Sequence, residues 1–126
     1  MISIRKFPYP YQAALAISSD IDNASSLESF VEIMILLNGN KINKLGHGLG
    51  LEVGNSFWFF NNSGKEQLSY FNRLTSKESE FAPYCRELWS SGHLDVLHSY
   101  GNFDCGEFQR KYAEIAVNEL KKNNVA

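Results

Sequence analysis

Ala13-Ala14-Leu15-Ala16-Ile17-Ser18-Ser19-Asp20-Ile21-Asp22-Asn23 is a short apolar run of small residues that stops abruptly at charged groups. Such a run suits a buried strand of the parallel type, covered on both faces. Helical spacing follows, with Leu27, Phe30, Val31, Met34, Ile35 and Leu37 recurring every three or four residues. Ser25 and Glu28 form a capping-box pattern ahead of that run, and Asn38-Gly39-Asn40 ends it.

The same alternation continues along the chain. Lys41 to Gly54 is glycine-rich and reads as a loop or an irregular strand pair. Ser56-Phe57-Trp58-Phe59-Phe60 reads as a second core strand, closed by the turn signal Asn61-Asn62-Ser63-Gly64. After a less regular connection from Gln67 to Lys77, Phe81, Tyr84, Cys85, Leu88 and Trp89 predict a second helix. Pro83 is tolerable there only in the first turn, and Ser90-Ser91-Gly92 closes the helix. Leu94-Asp95-Val96-Leu97-His98 predicts a third strand, and Ser99 to Cys105 a polar loop. Phe108, Tyr112, Ile115, Ala116 and Leu120 predict a closing helix behind an Asp104/Glu107 capping box.

Strand and helix alternating three times argue for an α/β fold of parallel strands joined by right-handed crossover helices. A complete eight-unit barrel uses about 250 residues. Residues 1–126 are therefore read as a single domain, the front part of a partial, incomplete β/α barrel. An incomplete sheet presents an unpaired edge strand, so self-association through that edge is expected.

Composition narrows the function. With 12 basic against 14 acidic residues and the basic ones scattered, the chain lacks the cation cluster that nucleic-acid binding draws on. The amino terminus has no apolar core of a signal peptide, and no stretch approaches the roughly 18 apolar residues of a membrane span. The expectation is a soluble, cytoplasmic protein without nucleic-acid or membrane partners. Cys85 and Cys105 lack metal-knuckle spacing and read as reduced thiols, although spacing alone leaves a disulfide open.

In parallel α/β folds, ligands bind where the carboxyl ends of the strands converge. Asp20 and Asp22 fall there, two carboxylates suited to different tasks, one holding a cation and the other taking a proton. The plainer alternative is that both cap the following helix. His98 is predicted to end the third strand, and so to meet the Asp20-Asp22 segment at the same edge if the two strands are parallel neighbours. An imidazole and a carboxylate are ordinary zinc ligands.

These two segments resemble the polysaccharide deacetylase (NodB-like) superfamily, carbohydrate esterase family four. Asp20-Ile21-Asp22 looks like its first motif, and Gly92-His93 through His98-Ser99-Tyr100-Gly101-Asn102 looks like its second. The resemblance runs from about Ala13 to Asn123. It implies a hydrolase removing acyl groups from N-acetylated sugars, with Asp20 as base and a divalent metal, zinc by preference, held by Asp22, His98 and the residue at Asn102. The family has histidine at the Asn102 position, and asparagine is a weaker ligand; His93 and His47 are the other candidates. The family's later motifs, which supply an arginine, an oxyanion-stabilising backbone and an acid histidine, have no counterpart before Ala126. The chain is accordingly read as an inactive front fragment.

Two other readings compete. Asp20-Ile21-Asp22-Asn23 also resembles the start of haloacid-dehalogenase-like phosphohydrolases, which would then draw on Asn61-Asn62-Ser63 and Lys65 and would use Mg²⁺. A non-catalytic carbohydrate-binding remnant would stack sugars on Trp58, Tyr100 and Phe103, although aromatic residues on strands are more often core.

Overall fold

A computed structural model describes residues 10, 17–19, 24–63, 65, 67–94, 96–103, 106 and 108–125, with the backbone alone at residues 19 and 96–98. The opening apolar run contributes β1 (Ser18–Ser19). The helix after it starts one residue later than the Ser25/Glu28 pattern predicts. Ser26 caps α1 (Leu27–Asn38), its Oγ accepting from the Ser29 N–H at 3.2 Å. With Ser26 as the cap, the residue three positions on is Ser29 rather than Glu28, whose carboxylate pairs with Lys44. Phe30 and Met34 carry α1 into the core.

The glycine-rich stretch is a strand pair, β2 (Ile42–Asn43) against β3 (Gly46–His47), antiparallel. Asn43 makes its turn, Oδ1 accepting from the N–H groups of Leu45 and Gly46. The chain then passes over the last turn of α1, where the N–H groups of Leu49 and Leu51 donate to the carbonyls of Leu36 and Leu37. Those carbonyls are the ones a helix end leaves without partners. The passage is close enough to require glycine, since a Cβ on Gly48 would collide with the Gly39 carbonyl oxygen.

β4 (Gly54–Asn61) is the centre of the molecule, buried from Asn55 through Asn61. It pairs in parallel with β1 on one side and with β5 (Val96–Asn102) on the other. The third strand thus begins later than predicted and runs through the stretch Ser99 to Asn102 that reads as a loop. Its backbone is taken up by parallel pairing with Trp58, Phe60 and Asn61. Gly101 suits this position because any Cβ would press on the Phe103 ring, 2.5 Å away.

Two further helices cover the sheet. α2 (Phe81–Ser91) holds Pro83 in its first turn and ends at Gly92, which is left-handed at φ 73° and donates to the carbonyls of Leu88 and Trp89. α3 (Arg110–Lys122) starts at Gln109; Asp104 and Glu107 lie outside the described residues. Aromatic pairs join the layers: Phe57 to Trp89 at 5.3 Å, Phe60 to Tyr112 at 5.1 Å and Phe30 to Phe81 at 4.8 Å. The result is a mixed α/β arrangement, with a three-stranded parallel sheet and no closed barrel among the described residues. Nor is any described helix long and apolar enough to cross a membrane. Cys85 is a free, buried thiol whose pKa burial pushes up, while Cys105 lies outside the described residues.

Tyr70 ties the connection between β4 and α2 to both flanking helices. Fully buried, it donates to Glu119 of α3 at 2.7 Å, accepts from Arg86 of α2 at 2.6 Å and stacks on Trp89. Burial pushes the Glu119 carboxyl up, but hydrogen bonds from Tyr70 and Asn123 and the charge of Lys122 outweigh it and hold it below its usual 4.5. A depressed carboxyl adds stability above the unfolded pKa and loses it as pH falls through the folded one. Tyr70→Phe should cost about 1–2 kcal/mol at neutral pH, with the gap to wild type narrowing in acid. Urea melts at both ends of that range test this; a gap independent of pH would remove Glu119 from the account.

Candidate functional site

β1, β4 and β5 are parallel; β4 and β5 end level with each other, Asn61 beside Asn102, at the usual ligand edge in this architecture, whereas the described end of β1, Ser19, is level with Asn55 near the start of β4. β1 pairs Ser18 with Gly54 and Ser19 with Asn55, and the next residues in the chain are Asp20-Ile21-Asp22-Asn23. Asp20 and Asp22 themselves lie outside the described residues.

His98 is the third residue of β5 and not its end. Phe57 pairs with Leu97 and Trp58 with Ser99, so His98 is the extra residue of a register irregularity in mid-strand. Such bulges turn a side chain away from the regular alternation; the His98 side chain is outside the description. β1 and β5 are parallel but not neighbours, so the condition for His98 to meet the Asp20-Asp22 segment is not met. β4 lies between β1 and β5, so they stand two strand spacings apart, about 10 Å.

Asn102 is the residue that ends β5, and it is buried. Its Nδ2 donates to Gln67 Oε1 at 2.7 Å, and its carbonyl accepts from the Asn62 N–H at 2.7 Å. Asn61, the last residue of β4, donates to the carbonyls of Lys65 and Gln67 and accepts from Ser63. Asn61, Gln67 and Asn102 therefore form an amide cluster closing the carboxyl ends of two adjacent strands. Asn102 is thus engaged by Gln67 and Asn62 at the end of β5, four residues along the strand from His98.

The other two histidines belong to the opposite edge. His93 follows α2, its carbonyl accepting from Asn55 near the start of β4 and its Nδ1 facing Ser91 Oγ at 3.1 Å. His47 is exposed on β3, with Nδ1 2.9 Å from the Gly48 carbonyl. Neither approaches the strand ends that carry the amide cluster. Among the described residues no three His, Cys, Asp or Glu side chains gather at one point.

The residues of the competing readings have structural partners. Ser63 Oγ donates to Asn61 Oδ1, and Lys65 is exposed. Trp58 and Phe103 are core, Phe103 lying between Phe108 at 4.6 Å and Tyr112 at 5.7 Å.

Sequence reading missed the pocket beside the amide cluster. It holds about 370 Å³ and is lined by Asn61, Gln67, Asn72, Arg73, Ser79 and Glu80 among others. The only sequence signal was a polar connection without helical or strand periodicity. Comparison of the chain with protein-family models, curated proteins and solved structures gives no match.

Proposed function

We propose that this chain carries the metal-binding segments of a polysaccharide-deacetylase-like hydrolase that removes acyl groups from N-acetylated sugars. The observation that supports the reading is the parallel run of β1, β4 and β5, the architecture in which ligands bind at the carboxyl ends of strands, with the polar cluster of Asn61, Gln67 and Asn102 at the ends of β4 and β5. In this reading Asp22 and His98 bind the metal, a carboxylate and an imidazole being a donor pair that suits zinc. Zinc bound there would supply Lewis acidity toward an amide carbonyl. Asp20 is the base that takes a proton from the attacking water. Asn102 acts by holding Gln67 and the end of β5 in place.

The test is elemental analysis after exposure to Zn²⁺ and desalting. About one zinc per chain is expected, lost in Asp22→Ala and in His98→Ala. Absence of zinc from the wild type, or equal zinc in all three proteins, would sink the reading.

A further inference from the structure

We propose that the pocket between the carboxyl end of β4 and the start of α2 is a subsite for one uncharged sugar ring, gripped by Gln67, Asn72, Arg73 and Glu80. The proposal rests on the carbohydrate reading above and gives it a place and a charge class.

Position comes first. Asn61 ends β4, and Gln67 is bonded to Asn102, which ends β5, so the pocket opens at the ligand edge of the sheet. Leu68, also in the lining, donates its N–H to the Ala24 carbonyl at 3.0 Å, and Ala24 follows the Asp20-Ile21-Asp22-Asn23 segment directly. A volume of about 370 Å³ is at the small end of ligand pockets and suits one ring better than a chain of them.

The walls are fixed before any ligand arrives. Asn61 is saturated by Ser63, Lys65 and Gln67. Ser79 Oγ donates to the Ser69 carbonyl, and the Asn72 N–H donates to the Lys77 carbonyl. A bridge between Phe71 and Glu78 closes the turn between them. Arg73 is held at φ 52°, a left-handed conformation uncommon outside glycine and often found where a site is built.

Against those committed walls, four groups have no hydrogen-bond or ion-pair partner among the described residues. They are Gln67 Nε2, Asn72 Oδ1, the Arg73 guanidinium and the Glu80 carboxylate. Two donate and two accept. A sugar hydroxyl does both, so a ring with several hydroxyls can satisfy donors and acceptors together. The lining carries one cation and one anion: an acidic sugar would gain Arg73 and be opposed by Glu80, an amino sugar would gain Glu80 and be opposed by Arg73, and an uncharged ring hydrogen-bonds to both without opposition.

The experiment is calorimetric titration of the chain with three trisaccharides: tri-N-acetylchitotriose, which is uncharged, chitotriose, which is cationic, and trigalacturonate, which is anionic. The uncharged probe should bind, and the other two should bind at least about tenfold more weakly. Arg73→Gly and Glu80→Gln should each weaken the uncharged probe about tenfold, the usual effect of losing a hydrogen bond to a charged group. Both residues are exposed, glycine accepts the left-handed backbone at 73, and Glu80 makes no side-chain cap bond to α2, so unchanged melting temperatures are expected. Binding that is unaltered in both variants, tighter binding of a charged probe, or no binding of any probe overturns the subsite. Zinc content in the same variants separates the two claims. Selective loss of sugar binding in a chain that takes up no zinc keeps the subsite and removes the deacetylase reading; zinc uptake with sugar binding indifferent to residues 73 and 80 does the reverse.

Discussion

Phe59→Ala is expected to leave the chain largely without its cooperative fold. Phe59 is fully buried at the centre of β4, and its ring lies 5.2 Å from Phe57, 5.3 Å from Tyr70 and 6.0 Å from both Phe71 and Trp89. Those rings come from the central strand, from the connection after it and from α2, so truncation opens a cavity where the layers meet. Removing a buried phenylalanine costs about 3–5 kcal/mol, a large share of the roughly 5–15 kcal/mol by which domains are stable. Phe59→Leu, which keeps most of the volume, should cost distinctly less. Urea denaturation followed by circular dichroism measures both. A loss under about 1 kcal/mol for the alanine variant would mean that this aromatic cluster does not hold the sheet to its helices.

A comparable loss is expected from Asn55→Asp, for an electrostatic reason. Asn55 is fully buried, and its Nδ2 donates to Asn38 Oδ1 at 3.0 Å, to the Val53 carbonyl at 2.9 Å and to the His93 carbonyl at 2.8 Å. One amide thereby joins the end of α1, the start of β4 and the approach to β5. A carboxylate in its place would face three acceptors without a donor, at a cost of about 3 kcal/mol or more. The new carboxyl's folded pKa would rise, because only the protonated form can donate. The penalty is then absent below the unfolded value of about 3.9 and grows as pH rises. Acidification should rescue this variant, opposite to the Glu119 contribution, which acid removes. A urea midpoint for Asn55→Asp that follows the wild type at every pH would show that the amide is not the tie between these elements.

Both residues illustrate how far sequence alone reaches. The pattern of Phe81, Cys85 and Leu88 with Pro83 and Gly92 at the ends was legible as a helix because each signal is local. Apolar residues three and four apart share a helix face, proline fits a first turn, and glycine accepts the left-handed cap. The aromatic run Ser56 to Phe60 was legible as a buried strand for the same reason. The Ser25/Glu28 box failed by one residue: Ser26 takes the cap and accepts from the Ser29 N–H, while Glu28 pairs with Lys44 of the β2 to β3 turn.

The element order and the alternation that makes this an α/β chain were determined by the sequence itself, through periodicities that each residue expresses with its near neighbours. Only the tertiary structure decided that β4 lies between β1 and β5, that β5 extends through Gly101 to Asn102, and that Asn61 and Gln67 meet Asn102 at the strand ends. Strand pairing joins residues far apart in the chain, and a polar strand end looks like a loop until a partner backbone takes up its hydrogen bonds. The pocket belongs to the same level: Asn61, Gln67, Arg73 and Glu80 share no local pattern, and only the path of the chain after β4 brings them together.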